Sequence, residues 1–347
     1  MHTLAQSATS DSSKPGLGAV LSHGVLVAAV LGLWLAPSVP LFLVAWAVFF
    51  AWATVRVSGG ASTWFATGLM LACGAVPVIP LVWPAASVPL TVLAAAMATG
   101  VVPFNLWFSA LERRVRPSEF QVVLLAQPGL VWLHRLVSER GDVFHGDARL
   151  VLLFGFVASA LLKTGLGLVR KEPQRALSAL VLSQSMLALA GAVSGEAGWS
   201  AARLLWLSMA LGSVVLQGVV FELKRTHGVL TLAVDHGLAA SEPGFHRLFV
   251  TMGWLMVGVP GGVAFFAEDL LFHSIVEESG VATMAFLLSA ALNAVVFYRV
   301  YIGLFAGPSR AHPVKTPNTP RRNLVMAAML VLVVVMLLGG LWPATFL

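Results

Sequence analysis

Long apolar runs separated by short polar clusters fill almost the whole chain. A bilayer is crossed by about 20 apolar residues in a helix. On that measure the pattern predicts eleven membrane helices, over residues 17–36, 38–57, 61–83, 86–110, 118–137, 149–169, 175–194, 199–222, 247–274, 280–306 and 323–346. Residues 226–246, reading THGVLTLAVDHGLAASEPGFH, are too mixed to span. They are expected as a loop or a short helix at the membrane surface.

Two of the predicted helices are interrupted. Gly100 and Pro103 break 86–110, and Gly258, Pro260, Gly261 and Gly262 break 247–274. The ten helices before the last divide into two sets of five, 17–137 and 149–306, and each broken helix is the fourth of its set. An odd number per set makes the second set start from the opposite face. Breaks at corresponding positions of two inverted halves point to a transport site, because freed backbone groups must be satisfied by protein or water. The plainer reading is that Gly and Pro are common in membrane helices. The expected fold is therefore an all-α integral membrane protein of two inverted five-helix repeats, with one further C-terminal helix over 323–347, which the family resemblance described below implies to be lateral.

Composition agrees with that class. Of 347 residues, 58% are hydrophobic and 10% charged, against about 25% charged in soluble domains. The net charge of +6 would suggest nucleic acid in a soluble protein. Here the cations gather in alternate loops, fifteen of the 21 Lys and Arg on one side and four on the other, with Lys163 and Arg299 inside helices. This positive-inside bias predicts a cytoplasmic N-terminus and an outside C-terminus in a bacterial plasma membrane, and no nucleic-acid partner. Residues 1–16 are polar and Ser/Thr-rich and read as a disordered leader rather than a secretion signal. The single cysteine, Cys73, rules out an intrachain disulfide and a cysteine-cluster metal site. No P-loop, dinucleotide fingerprint, nucleophile triad or zinc spacing occurs, so no cofactor is expected.

Few titratable groups lie inside the apolar segments. A charge near the membrane centre costs several kcal/mol and marks function by default. Glu268 is the foremost: it either takes and releases protons or fixes the bend through hydrogen bonds at the broken end. Asp269 lies about 100° further round the helix, so both acids need not face one cavity. Lys163 is about 10 Å from the end of its helix, near enough to snorkel partway. His134 and His273, near the far face, and His23, near the inner one, can relay protons or simply be hydrated. Arg299, between Tyr298 and Tyr301, reads as an interfacial anchor. Gln127 and Asn105 can bond across helices but not titrate, and Glu222 reads as a surface ion pair with Lys224 and Arg225.

Four stretches resemble the antiporter-like membrane subunits of respiratory complex I, membrane-bound hydrogenases and Mrp cation/proton antiporters. VPFNLWFSALERRVRPSE (102–119) resembles that family's broken helix and following loop, and KEPQRALSALVLSQSMLALAG (171–191) its basic loop and Ser-rich helix. GVPGGVAFFAEDLLF (258–272) resembles its second broken helix, and NAVVFYRVYIGLF (293–305) the helix after it. The match runs in order over about 102–305. The family's usual form carries additional leading helices, so the resemblance implies a shortened member.

At most positions that carry charge in the family, this chain departs from the pattern. The lysine of the family's first broken helix falls on Ala98, and the helix 38–57 has no acid to partner it. The next helix's central lysine falls on Gln127, and the second half's histidine and lysine fall near Leu211 and Val215. Glu268 alone keeps a charge at its family position. The resemblance implies proton or cation translocation within a larger energy-coupled complex, through a reduced or one-sided path. The alternatives are a non-conducting docking subunit, or a membrane partner in proton-coupled inorganic-carbon uptake. Expected partners are other membrane subunits and lipid, with a soluble or peripheral protein on the cytoplasmic side in the last case.

Overall fold

A computed structural model describes residues 17–58, 64–83, 85–141, 143–308 and 319–341, and the expected leader over 1–16 lies outside them. Among the described residues there are fifteen α-helices and no strand. The first eight are α1 (Leu17–Leu35), α2 (Val39–Val57), α3 (Trp64–Ala75), α4 (Val78–Val82), α5 (Val88–Thr99), α6 (Leu106–Arg114), α7 (Pro117–Ala126) and α8 (Pro128–Arg140). The others are α9 (Gly146–Val169), α10 (Pro173–Ala192), α11 (Glu196–His227), α12 (Pro243–Met256), α13 (Val263–Glu278), α14 (Gly280–Phe305) and α15 (Pro320–Leu341). Helix occupies every segment that the apolar pattern predicts. Among the described residues, eight helical stretches are long and apolar enough to cross a membrane, while Val20–Leu35 and Val88–Thr99 are shorter apolar helices.

Proline sets many of the starts. It stands at the first or second position of α2, α5, α7, α8, α10 and α12, where its missing N–H costs no helical bond. Side chains from the apolar runs then sort by environment. Of the helices, α10 is the central one: 94% of its most apolar stretch is buried, and it packs on α9, α11 and α14. By contrast α15 buries only 28% and presents an apolar outer face.

Segment 228–242 forms turns rather than a surface helix. The backbone N–H groups of His236, Gly237, Leu238 and Ala239 donate to the carbonyls of Gly303, Ala306, Leu304 and Phe305. Those carbonyls lie at the C-terminal end of α14, where helices leave acceptors without partners. Arg299 serves α9 in the same way, donating to the Arg170 carbonyl at 2.7 Å. Arg299 thus caps that helix end.

The basic loops come together at one end of the bundle. Glu119 joins Arg56 of α2 at 2.6 Å and Arg116 at 2.8 Å. Glu222, expected at the surface, is buried and pairs with Arg225 at 3.0 Å and Arg321 at 3.5 Å. Glu242, also buried, bonds Arg322 and lies 3.1 Å from His227, tying α15 to the end of α11. At the other end, Arg149 holds Glu278 at 2.5 Å.

Candidate functional site

Three helix breaks surround α9 and α10. The first separates α5 from α6: Gly100 takes the left-handed conformation (φ 67°) that ends α5. The freed N–H of Val102 donates to Ser159 Oγ of α9 at 3.0 Å. The second separates α12 from α13, with Gly258 at φ 83° and Gly261 at φ 94°. Here Gln184 of α10 donates its Nε2 to the Met256 carbonyl at 2.7 Å. Each break thus has a backbone group satisfied by a side chain from a neighbouring helix, as an apolar surrounding demands.

The third break is at Gln127, between α7 and α8. Its φ of 41° makes it the one non-glycine residue at positive φ among the described residues. Continuous helix is expected over 118–137, but Pro128 disfavours helical backbone at the residue before it. Gln127 donates Nε2 to the Leu124 carbonyl at 2.6 Å and to Ser185 Oγ at 2.7 Å. Those two bonds hold a conformation that costs about 1–3 kcal/mol at a non-glycine residue.

Ser183, Gln184 and Ser185 are consecutive on α10 and all buried. Successive helical residues point about 100° apart, so the three fan out to different neighbours. Ser183 Oγ lies 2.8 Å from Thr164 Oγ1 of α9, which donates at 3.0 Å to Asn293 Oδ1 of α14. Gln184 reaches the second break and Ser185 the third. Gln184 Oε1, Asn293 Nδ2, Ser208 Oγ and Ser289 Oγ are buried without a hydrogen-bond partner among the described residues. Buried polar atoms of that kind bind structural water. The arrangement can carry protons along hydroxyls and water, but none of these groups titrates.

The titratable groups flank this hub. Glu268 is half-buried on α13, and its carboxylate lies against Gly258. Helical side chains lean toward the N-terminus, which brings Glu268 back over the break. Among the described residues its carboxylate makes no hydrogen bond or ion pair. Lys163 is buried on α9 directly before Thr164, its side chain also without a bonding partner among the described residues.

The other candidates lie elsewhere. Asp269 and His273 face outward, with side chains 58% and 67% exposed and 3.8 Å between Nδ1 and Oδ1. His134 is exposed on α8, edge-on to Trp199. Pro103 and Pro260 lie within the breaks, and Gly262 is the N-cap of α13. His23 is half-buried on α1, and Asn105 is buried at the start of α6.

Sequence reading missed Glu112 altogether. It lies in the last turn of α6, past the predicted span 86–110, with its side chain 12% exposed and Arg170 Nη2 at 3.9 Å. Burial pushes its carboxyl up from the ordinary range, while Arg170, Arg175 and Lys163 pull it back.

An all-helical apolar bundle with interrupted helices defines a polytopic integral membrane protein. The chain belongs to the NADH:quinone oxidoreductase/Mrp antiporter transmembrane family, whose model matches residues 81–293. NADH-quinone oxidoreductase subunit N of Alkalilimnicola ehrlichii is 24% identical over 245 residues, covering 69% of this chain and 50% of that protein. The subunit N of Halorhodospira halophila is 24% identical over 209 residues, covering 58% and 43%. The chain thus spans about half the length of these curated relatives.

Solved structures share the fold. The Mrp complex of Dietzia sp. contains a chain with TM-score 0.75 and 18% identity, covering 92% of this chain and 74% of that one. Respiratory complex I of Thermus thermophilus gives 0.77 at 20% identity, covering 94% and 76%. An archaeal membrane-bound sulfane sulfur reductase gives 0.78 at 16%, covering 92% and 59%. The antiporter-like resemblance read from the four sequence stretches is therefore correct at the level of family and fold.

Proposed function

We propose that this chain is a proton- or cation-translocating subunit of an energy-coupled membrane complex, with a reduced conducting path centred on residues 149–306. The observation that carries this reading is the Glu268 carboxylate, without a protein bonding partner among the described residues, against Gly258 at the second break. Gln184 bonds the same break two residues earlier, and Thr164, next to Lys163 in α9, bonds Ser183 of α10. The breaks at α5/α6 and α12/α13 support two inverted five-helix repeats, 17–137 and 149–306, with α15 as the lateral helix. The positive-inside bias supports a cytoplasmic N-terminus. The names of its relatives and structural neighbours support membrane subunits as partners.

A second reading, a non-conducting docking subunit, is favoured by the first half. Ala98 is a buried apolar residue there, and Gln127 is bonded into a fixed break. The test is purification from native membranes and reconstitution into vesicles with whatever subunits accompany the chain. Proton flux under an imposed potential, above that of empty vesicles, upholds translocation. Flux no greater than that of empty vesicles, from an intact assembly, upholds docking. The co-purifying proteins identify the setting: a quinone-linked or hydrogenase partner places it in respiration, and a soluble zinc protein in inorganic-carbon uptake.

A further inference from the structure

Lys163 and Glu112 belong to different parts of the chain, one inside α9 and the other in the last turn of α6. The structure brings them to one small cavity of about 10 Å³, which Arg170 and Arg175 also line. That is about the space of one water molecule. Glu112 and Arg175 also line a second, larger pocket of about 230 Å³ at the basic end, together with Arg113, Glu172, Gln174 and Lys224. The same two residues thus separate the larger polar pocket from the cavity at Lys163.

The side chains are not used up by structure. Lys163 is 2% exposed and forms no hydrogen bond or ion pair among the described residues. Arg170 stands 3.9 Å from Glu112, beyond hydrogen-bond length. Arg175 is engaged by Glu172 at 3.2 Å, and Lys224 by Gln174 at 2.8 Å. A lysine in an apolar helix with no partner is a functional group by default. An acid facing the same water-sized space is its natural exchange partner.

We propose that Glu112 and Lys163 form an acid–base loading site at the seam between the first part of the chain and α9, filled from the pocket at the basic end. The proton leaves the Glu112 carboxyl, crosses one water and is taken by the lone pair of the Lys163 amine. The Glu112 carboxylate is then reprotonated from the larger pocket. Thr164, next to Lys163, bonds Ser183 and Asn293 and leads inward. This differs from the arrangement the family resemblance implies, which puts a lysine where Ala98 stands. Its use in transport rests on the translocation reading above, but the geometry of the site does not.

Cys73, buried and the only cysteine, makes the test simple. In a Cys73→Ala background, Lys163→Cys is reacted with 2-aminoethyl methanethiosulfonate from either face, with a thiol scavenger on the other. The reagent leaves an ammonium close to where the lysine carried it. The site predicts reaction from the basic face at least about fivefold faster than from the opposite face. It also predicts slowing by about fivefold on adding Glu112→Gln, which removes the charge attracting the cation. Equal reaction from both faces, no reaction, or a rate indifferent to Glu112 overturns the proposal.

Should Lys163→Cys not assemble, Glu112→Cys replaces it, reacted with anionic 2-sulfonatoethyl methanethiosulfonate. Reaction confined to the basic face upholds the site, and reaction from both faces or neither overturns it. If the unmodified protein conducts, the ammonium-restoring reagent recovers flux lost in Lys163→Cys, and a neutral methyl reagent does not. If it does not conduct, the translocation reading fails and the labelling alone decides the site.

Discussion

The carboxylate of Glu268 occupies the space that a Cβ on Gly258 would fill. The break and the acid are therefore one device: Gly258 supplies both the positive φ and the room. Gly258→Ala adds left-handed strain of about 1–2 kcal/mol and drives the carboxylate off the break. Gly261→Ala meets similar strain, at φ 94°, but its Cβ faces open space. We expect proton flux to fall severalfold further in Gly258→Ala than in Gly261→Ala at similar melting temperatures. Equal flux in the two variants would show that the contact with Glu268 does not matter.

Gln127 holds the α7/α8 break through bonds to Leu124 and Ser185. Gln127→Leu removes both bonds and leaves the Ser185 hydroxyl without its donor, costing about 1–3 kcal/mol. Gln127→Gly relieves the strained backbone and offsets part of that loss. The expected order of thermal stability in detergent is wild type, then Gly, then Leu. Leu at or above Gly contradicts this account of the break.

Two acids at the basic end respond oppositely to neutralisation. Glu119, with a side chain 1% exposed, is held by Arg56 and Arg116 and ties α2 to α7. Glu119→Gln leaves the cations without a buried partner and costs about 3 kcal/mol, less whatever solvent recovers at Arg56. Glu112 differs because burial raises its carboxyl. A raised folded value means that its stabilisation is present at low pH and lost as pH rises through that value. At pH 8, Glu112→Gln is expected to match or exceed wild type in melting temperature, while Glu119→Gln falls below it. A fall in both would refute the distinction.

Helix α15 is fitted to the second break. Gly340 of α15 packs on the Gly261 carbonyl, and Met329 and Met326 cover Gly218 and Gly244. Gly340→Val overfills that contact, at a cost of about 1–3 kcal/mol. It is expected to lower flux while Arg321 and Arg322 keep the other end of α15 docked on Glu222 and Glu242. Wild-type flux in Gly340→Val would separate α15 from the path.

Much of this was legible in the sequence, for physical reasons that also mark where legibility stopped. Apolar length places helices without any tertiary knowledge, and Gly100, Pro103 and Gly258 announce their breaks through backbone preference alone. Gln127 broke its helix unnoticed because the signal was only the proline after it. Glu112 gave no signal beside Arg113 and Arg114, since what sets it apart is its placement against Lys163, Arg170 and Arg175, which are distant in the chain. Rotation about a helix axis is likewise a tertiary property, and it separates Glu268 over the break from Asp269 on the outer face. The capping bond of Arg299 was not legible because the carbonyl it caps, at Arg170, is distant in the chain.

The central claim is that Glu268 carries protons at the second break. Its most direct measurement is proton flux in vesicles containing the purified complex, comparing wild type with Glu268→Gln at matched assembly. The account predicts that flux in Glu268→Gln falls to the level of empty vesicles, with Glu268→Asp retaining part of it. Wild-type flux from an intact Glu268→Gln complex would contradict it.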